Sequence, residues 1–195
     1  MPPAVTFRIL LPQWVADFVR GYGPIGATAD KRMDFVIALS RENIRQAGGP
    51  FAAAVFDEGG DLVAPGVNMV EQANCSLLHA EIVAIALAQS ALGRYDLSAG
   101  GRRHYQLLAS TEPCAMCFGA IPWSGVDELV CGARDADARS VGFDEGPKLT
   151  DWVQALSDRG ISVKRDVKRQ AAAEVLAAYA AAGGTIYNAG GGGPL

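Results

Sequence analysis

Apolar residues at Met33, Val36, Ile37, Ile44 and Ala47 recur at helical spacing. Asp30 stands where an N-cap belongs and Gly48-Gly49-Pro50 ends the segment, so the pattern predicts a helix over 33–47. The character changes at Phe51. A short apolar run to Asp57, the turn Glu58-Gly59-Gly60-Asp61 and an extended stretch from Leu62 to Val70 read as a hairpin. Helical spacing returns from His79 to Leu92, where Ile82, Ile85 and Ala86 share a face and Gly93 is the stop. Further strands are predicted at 105–109, 128–131 and 161–163, and further helices at 114–121, 149–156 and 170–182. Pro113, a residue favoured in the first turn, introduces the helix at 114. Strands that alternate with helices after an opening hairpin predict a three-layer α/β/α sandwich around a mixed sheet.

Residues 1–30, rich in Pro and Gly, read as an extension packed on the domain, with a turn or two of helix near Trp14–Arg20. Residues 31–188 are expected to form the one functional domain and the Gly-rich residues 189–195 a flexible tail. Half of the 195 residues are hydrophobic, enough to bury a sizeable core. Lys and Arg number 17 against 21 Asp and Glu, for a net charge of -4. That balance argues against a nucleic-acid partner, because phosphate binding draws on clustered cations. The cluster Lys164, Arg165, Lys168 and Arg169 reads as a solvated face. No apolar run reaches the roughly 18 residues of a membrane span, and Met1-Pro2-Pro3 lacks the parts of a secretory signal. A soluble, cytoplasmic protein without a membrane partner is the expectation. In such a chain the four cysteines are expected as thiols or metal ligands, not disulfides.

Chemistry concentrates in two segments, His79-Ala80-Glu81 and Pro113-Cys114-Ala115-Met116-Cys117. Cys114 and Cys117 at i and i+3 share a helix face, so both sulfurs can reach one ion. They also fall in a first turn, where the helix dipole favours thiolate. Zinc takes Cys sulfur and His nitrogen, and a catalytic site keeps three protein ligands with the fourth place open to water. His79 is the third ligand in this reading, so the cofactor is one zinc ion. Glu81, two residues on, reaches the same cavity if His79 caps the helix; a carboxylate there can take a proton from water and deliver it to a substrate nitrogen. Alone, a Cys-x-x-Cys also suits a redox pair or a structural zinc module. A structural site wants a fourth protein ligand, and His104 and Cys131 are the only distant candidates. The combination of both segments is the signature of zinc nucleobase deaminases, in which the Glu is an acid/base and not a ligand.

On these motifs, together with Pro50-Phe51, Asn68 and Glu112, the chain resembles the cytidine deaminase-like superfamily over roughly residues 33–187. The resemblance implies a five-stranded mixed sheet, zinc on His79, Cys114 and Cys117, and proton shuttling by Glu81. A His as first ligand points to the branch of guanine, cytosine, deoxycytidylate and tRNA adenosine deaminases. Gly142-Phe143-Asp144-Glu145 is similar to a segment of bacterial guanine deaminases. By that resemblance Glu145 is a second catalytic carboxylate, and Asn68, Ala80, Phe143 and Asp144 contact the base. Gly142 and Gly146 would supply the ends of a loop carrying Glu145 over the pocket. Cys75-Ser76-Leu77-Leu78 and Phe51-Ala52-Ala53 replace the relatives' Asp-Pro-Thr and Phe-Gly-Ala, which leaves the pocket rim and the exact base open.

The reading is therefore zinc-dependent hydrolysis of a free purine base, guanine to xanthine and ammonia. Its rivals are another amino-heterocycle such as cytosine or an aminotriazine, a tRNA adenosine deaminase, and a structural zinc or redox module. The resemblance further implies a homodimer, and a C-terminal stretch around Tyr187 that closes over a pocket.

Overall fold

The computed structural model describes residues 6–188. The expected tail, 189–195, lies outside the described residues. Five strands form one mixed sheet in the order β2-β1-β3-β4-β5. β1 (Ala52–Asp57) pairs antiparallel with both β2 (Leu62–Val67) and β3 (Tyr105–Thr111). β4 (Glu128–Ala133) and β5 (Ser162–Lys164) continue the sheet in parallel from β3. The central strands are apolar on both sides, as strands covered by helices on two faces must be.

The two-residue period divides the core. Ala52, Ala54, Phe56, Leu108 and Val130 face one layer, while Ala53, Val55, Leu107, Ala109, Leu129 and Cys131 face the other. The first layer holds α1 (Gln13–Tyr22), α2 (Ala29–Arg45), α5 (Asp135–Ser140) and α7 (Arg169–Ala181). The second holds α3 (Ala80–Leu92), α4 (Ala115–Ser124) and α6 (Trp152–Ser157). This is the three-layer sandwich that the pattern predicts. On α1, Val15 is buried, and the rings of Phe18 and Tyr22 lie 5.9 and 5.0 Å from that of Phe35.

Element bounds shift by a few residues from the sequence reading, and four of the differences have a plain physical reason. Thr28, not Asp30, caps α2; its hydroxyl accepts from the Lys31 N–H, and Asp30 sits in the first turn. β2 stops at Val67: Asn68 N–H still reaches its ladder partner, the Phe51 carbonyl, and the chain then turns away as Met69 N–H bonds the Leu78 carbonyl. α6 begins at Trp152, since Lys148 is drawn inward by Asp135 and Leu149 is left exposed. α5 has no apolar stripe; Asp137 builds it, bonding the Arg134 N–H and the Arg169 guanidinium.

One glycine seats the site. A Cβ at Gly66 on β2 would come 2.2 Å from the Ala80 carbonyl and 2.6 Å from the Ala84 N–H. Only a bare backbone lets the first turn of α3 lie this close to the sheet.

Candidate active site

His79 is the N-cap of α3 and Cys114 the N-cap of α4, so the two helix starts meet at one place. Pro113 stands just ahead of the cap, outside the first turn. Cys117 follows one turn into α4, and the ligand atoms of His79, Cys114 and Cys117 all lie within 4.8 Å of one another. His79 Nδ1 is 3.4 Å from Cys114 Sγ, which selects the ring nitrogen turned toward the cluster. Two sulfurs and an imidazole are a zinc donor set. Among the described residues no fourth His, Cys, Asp or Glu joins the group. His104 is exposed beside Asp127, and Cys131 is buried on β4. The open donor set suits a reactive site better than a structural one.

Of the three donors, only Cys114 is already biased toward its ligating form. A hydrogen bond from Cys117, together with His79, holds the Cys114 thiol down at about 4. The Cys117 thiol is pushed well up, first by that same bond and then by burial. Burial opposes charge on His79, but its hydrogen bond to Cys114 and the neighbouring Glu81 leave it raised. A bound cation would draw the remaining protons from this set.

Glu81 is the second residue of α3 and is buried. Burial raises it to about 7, and the Cys114 thiolate adds to the rise. Because His79 is the cap, the i and i+2 side chains reach one cavity after all. That cavity, about 460 Å³, is lined by His79, Glu81, Asn68, Phe143, Asp144 and Glu145 among others. Its size falls in the range of small-molecule sites.

Glu145 comes from the loop between α5 and α6 and is buried in the same cavity. Burial lifts its carboxyl to about 8, with the Cys114 and Glu81 charges next in effect. The loop ends at glycines with left-handed backbone, φ +104° at Gly142 and +67° at Gly146. At Gly146 a Cβ would also press on the Ala115 Cβ at 3.0 Å. Asn68 is buried; its Oδ1 accepts from the Val70 N–H, so the amide Nδ2 is the polar end left for a ligand. Phe143 packs edge-on against Phe51 and Tyr187, at 4.8 and 5.3 Å between ring centroids. Asp144 lines the cavity, but its Oδ1 is engaged by the Gly146 N–H within the loop. Ala80 is not brought to the cavity; its side chain packs into the core beneath α3.

Thr111 and Asn188 also line the cavity and carry no sequence signal of their own. Tyr187 is among the residues lining the cavity. The Thr111 and Tyr187 hydroxyls are buried without a protein partner among the described residues. Asn188 ties the C-terminal segment to the Glu145 loop, accepting from the Asp144 N–H at 2.9 Å and donating to the Gly142 carbonyl at 2.9 Å.

The model of the cytidine and deoxycytidylate deaminase zinc-binding region matches residues 27–133. The chain belongs to this deaminase family. The deaminase is similar to the guanine deaminase of Bacillus subtilis, 39% identical over 110 residues that cover 56% of this chain and 67% of the relative. Among solved structures it is similar to a guanine deaminase from Nitrosomonas europaea, with 44% identity and a TM-score of 0.86 over 92% of this chain and 98% of that one. It is also similar to a tRNA-specific adenosine deaminase of Rickettsia bellii, 34% identical over 101 residues, or 51% of this chain and 63% of the relative. The deaminase has no helix among the described residues long and apolar enough to cross a membrane.

Proposed function

We propose that this deaminase hydrolyses free guanine to xanthine and ammonia. The observation that carries the reading is the second buried carboxyl. Glu145 shares one cavity with Glu81 and the His79–Cys114–Cys117 cluster. The guanine deaminase 44% identical to this chain over nearly its whole length supports the same choice of base.

A zinc ion held by His79, Cys114 and Cys117 supplies Lewis-acid activation of water at neutral pH. The protein's own groups handle the protons. Glu81 accepts a proton from the water that adds to C2 of the base and delivers it to the adjacent ring nitrogen. Glu145 brings the proton that lets the C2 amine depart as ammonia. As the carbonyl forms, Glu81 takes the proton of the C2 hydroxyl and solvent returns it to Glu145, so water adds, ammonia leaves, and atoms and charge balance. Burial of both carboxyls raises them toward neutral pH in the metal-free chain. Asn68 Nδ2 donates to the base, and Phe143 walls its ring.

A free base, not a polynucleotide, is the substrate in this reading. Three members of the cationic cluster are spent on ion pairs: Arg165 with Glu112, Lys168 with Asp34 and Arg169 with Asp137. A homodimer is supported by α4, which carries no charged residue and leaves Trp123 79% exposed. Cys75 and Cys131, outside the ligand set, are unpaired thiols, which supports a reducing, cytoplasmic setting.

Ammonia release measured on guanine, cytosine, an aminotriazine and tRNA, alongside zinc content, tests the proposal. Guanine should be the preferred substrate, with one zinc per chain and little loss of rate at moderate salt. Inosine formation in tRNA with steep salt dependence would transfer the assignment to the polynucleotide.

A further inference from the structure

Beneath the catalytic loop lies a polar network whose charged side chains do not line the cavity. Lys148 is its centre: its side chain is only 6% exposed, a rare state for a lysine unless it is paired. Its Nζ lies 3.0 Å from Asp135 Oδ2, donates to the Pro113 carbonyl at 2.8 Å, and sits 4.9 Å from the centre of the Trp152 ring. The other oxygen of Asp135 accepts from Arg139 Nε at 2.6 Å. Arg139 in turn donates from Nη2 to the Gly146 carbonyl at 2.8 Å. One carboxylate thus supports two cations, and each cation grips a backbone carbonyl beside the site. Pro113 immediately precedes Cys114, and Gly146 immediately follows Glu145. Between these grips, the Ala115 N–H donates to the Glu145 carbonyl at 2.8 Å.

We propose that Lys148, seated on Asp135, is a positioning residue that fixes the Glu145 loop in register with the start of α4. It rests on the role given to Glu145 above. Lys148 belongs to the chain that follows the loop, whereas Pro113 belongs to the turn that presents Cys114. Its hydrogen bond therefore spans the two segments whose relative placement sets the distance from Glu145 to the ligand cluster. Asp135 holds the ammonium there and, through Arg139, steadies the opposite side of the same loop. Neither Lys148 nor Asp135 reaches the cavity, so both act through Glu145. A loop displaced by about 1 Å can cost on the order of 10²-fold in rate.

The test is a double-mutant cycle on the zinc-loaded full chain with guanine, combined with hydrogen exchange. Lys148→Met keeps the aliphatic stem over Trp152 and removes the charge. It should lower kcat by about 10- to 100-fold with little change in KM or zinc content. Lys148→Arg should restore most of the loss. In a Glu145→Ala background, Lys148→Met should change kcat by less than about twofold, because the residue it positions is gone. Amides in 142–149 should exchange faster in Lys148→Met while those of β3 and β4 stay protected. Full multiplication of the two single-mutant losses, wild-type kcat in Lys148→Met, or exchange accelerated evenly across the sheet would each overturn the proposal. The function reading fails separately, through a wild-type enzyme that is inactive on guanine, whereas hydrogen exchange reads the hold of Lys148 on the loop without turnover.

Discussion

Glu81 and Glu145 line one cavity, yet opposite means set them in place. Glu81 hangs from the first turn of α3, two residues past His79, on a helix seated against β2 by Gly66. Its position follows from capping and a close helix–strand contact, both local to the chain. Glu145 stands 28 residues beyond Cys117, on a loop held by contacts from distant segments. Ala115 takes its carbonyl, Arg139 grips the next one, and Asn188 reaches in from the C-terminal end. A group fixed by a helix start resists remote change; a group fixed by side-chain links can be shifted by altering any of them. The ligand cluster and Glu81 thus form a rigid half of the site, and the loop with its C-terminal cover a tunable half.

The sharpest way to break the rigid half is to remove a ligand. Cys117→Ala leaves two donors, too few for a stable site, and should lose the metal and all measurable deamination. Elemental analysis of the purified variant checks this; full zinc would exclude the assigned ligand set. Next in size is Glu81→Gln, which keeps shape and cannot accept a proton. Turnover should fall by at least the 10²–10⁴-fold typical of acid/base groups, with zinc retained. Near-normal ammonia release from this variant would remove the shuttle.

A smaller effect separates the loop carboxyl by its pH response. The carboxyl of Glu145 is raised from 4.5 to about 8 in the folded chain, so the folded state favours its neutral form. That stability is present below the unfolded value and is lost as pH rises through about 8. Glu145→Gln mimics the neutral form at every pH. The metal-free variant should match wild type near pH 5, gain on it steadily toward pH 8 and level off above, as read from urea unfolding. An advantage that shrinks with rising pH would contradict the buried neutral carboxyl.

The difference between the halves also explains what the sequence made legible. His79, Glu81, Cys114 and Cys117 are legible from ligand spacing and motif, and the structure sets them at the starts of α3 and α4. The strands were equally plain because alternation and apolar runs record burial directly. α5 was not visible, since Asp135–Ser140 has one buried apolar residue, Ala138, and owes its shape to Asp137 and Arg169. The start of α6 slipped from Leu149 to Trp152 for a related reason: Lys148 is held inward by a charge pair that no local pattern encodes. Glu145 and Phe143 carry a signal only through the resemblance of Gly142-Phe143-Asp144-Glu145. Thr111 and Asn188 carry no periodic or motif signal, because their place at the cavity is a product of the folded chain.

The most direct test of the two-carboxyl account is kcat/KM on guanine for Glu145→Ala beside wild type, each with zinc content measured. The account predicts full zinc with a loss of about 10²-fold or more, the scale of a positioned acid/base group. Unchanged kcat/KM in a zinc-replete Glu145→Ala enzyme would contradict it.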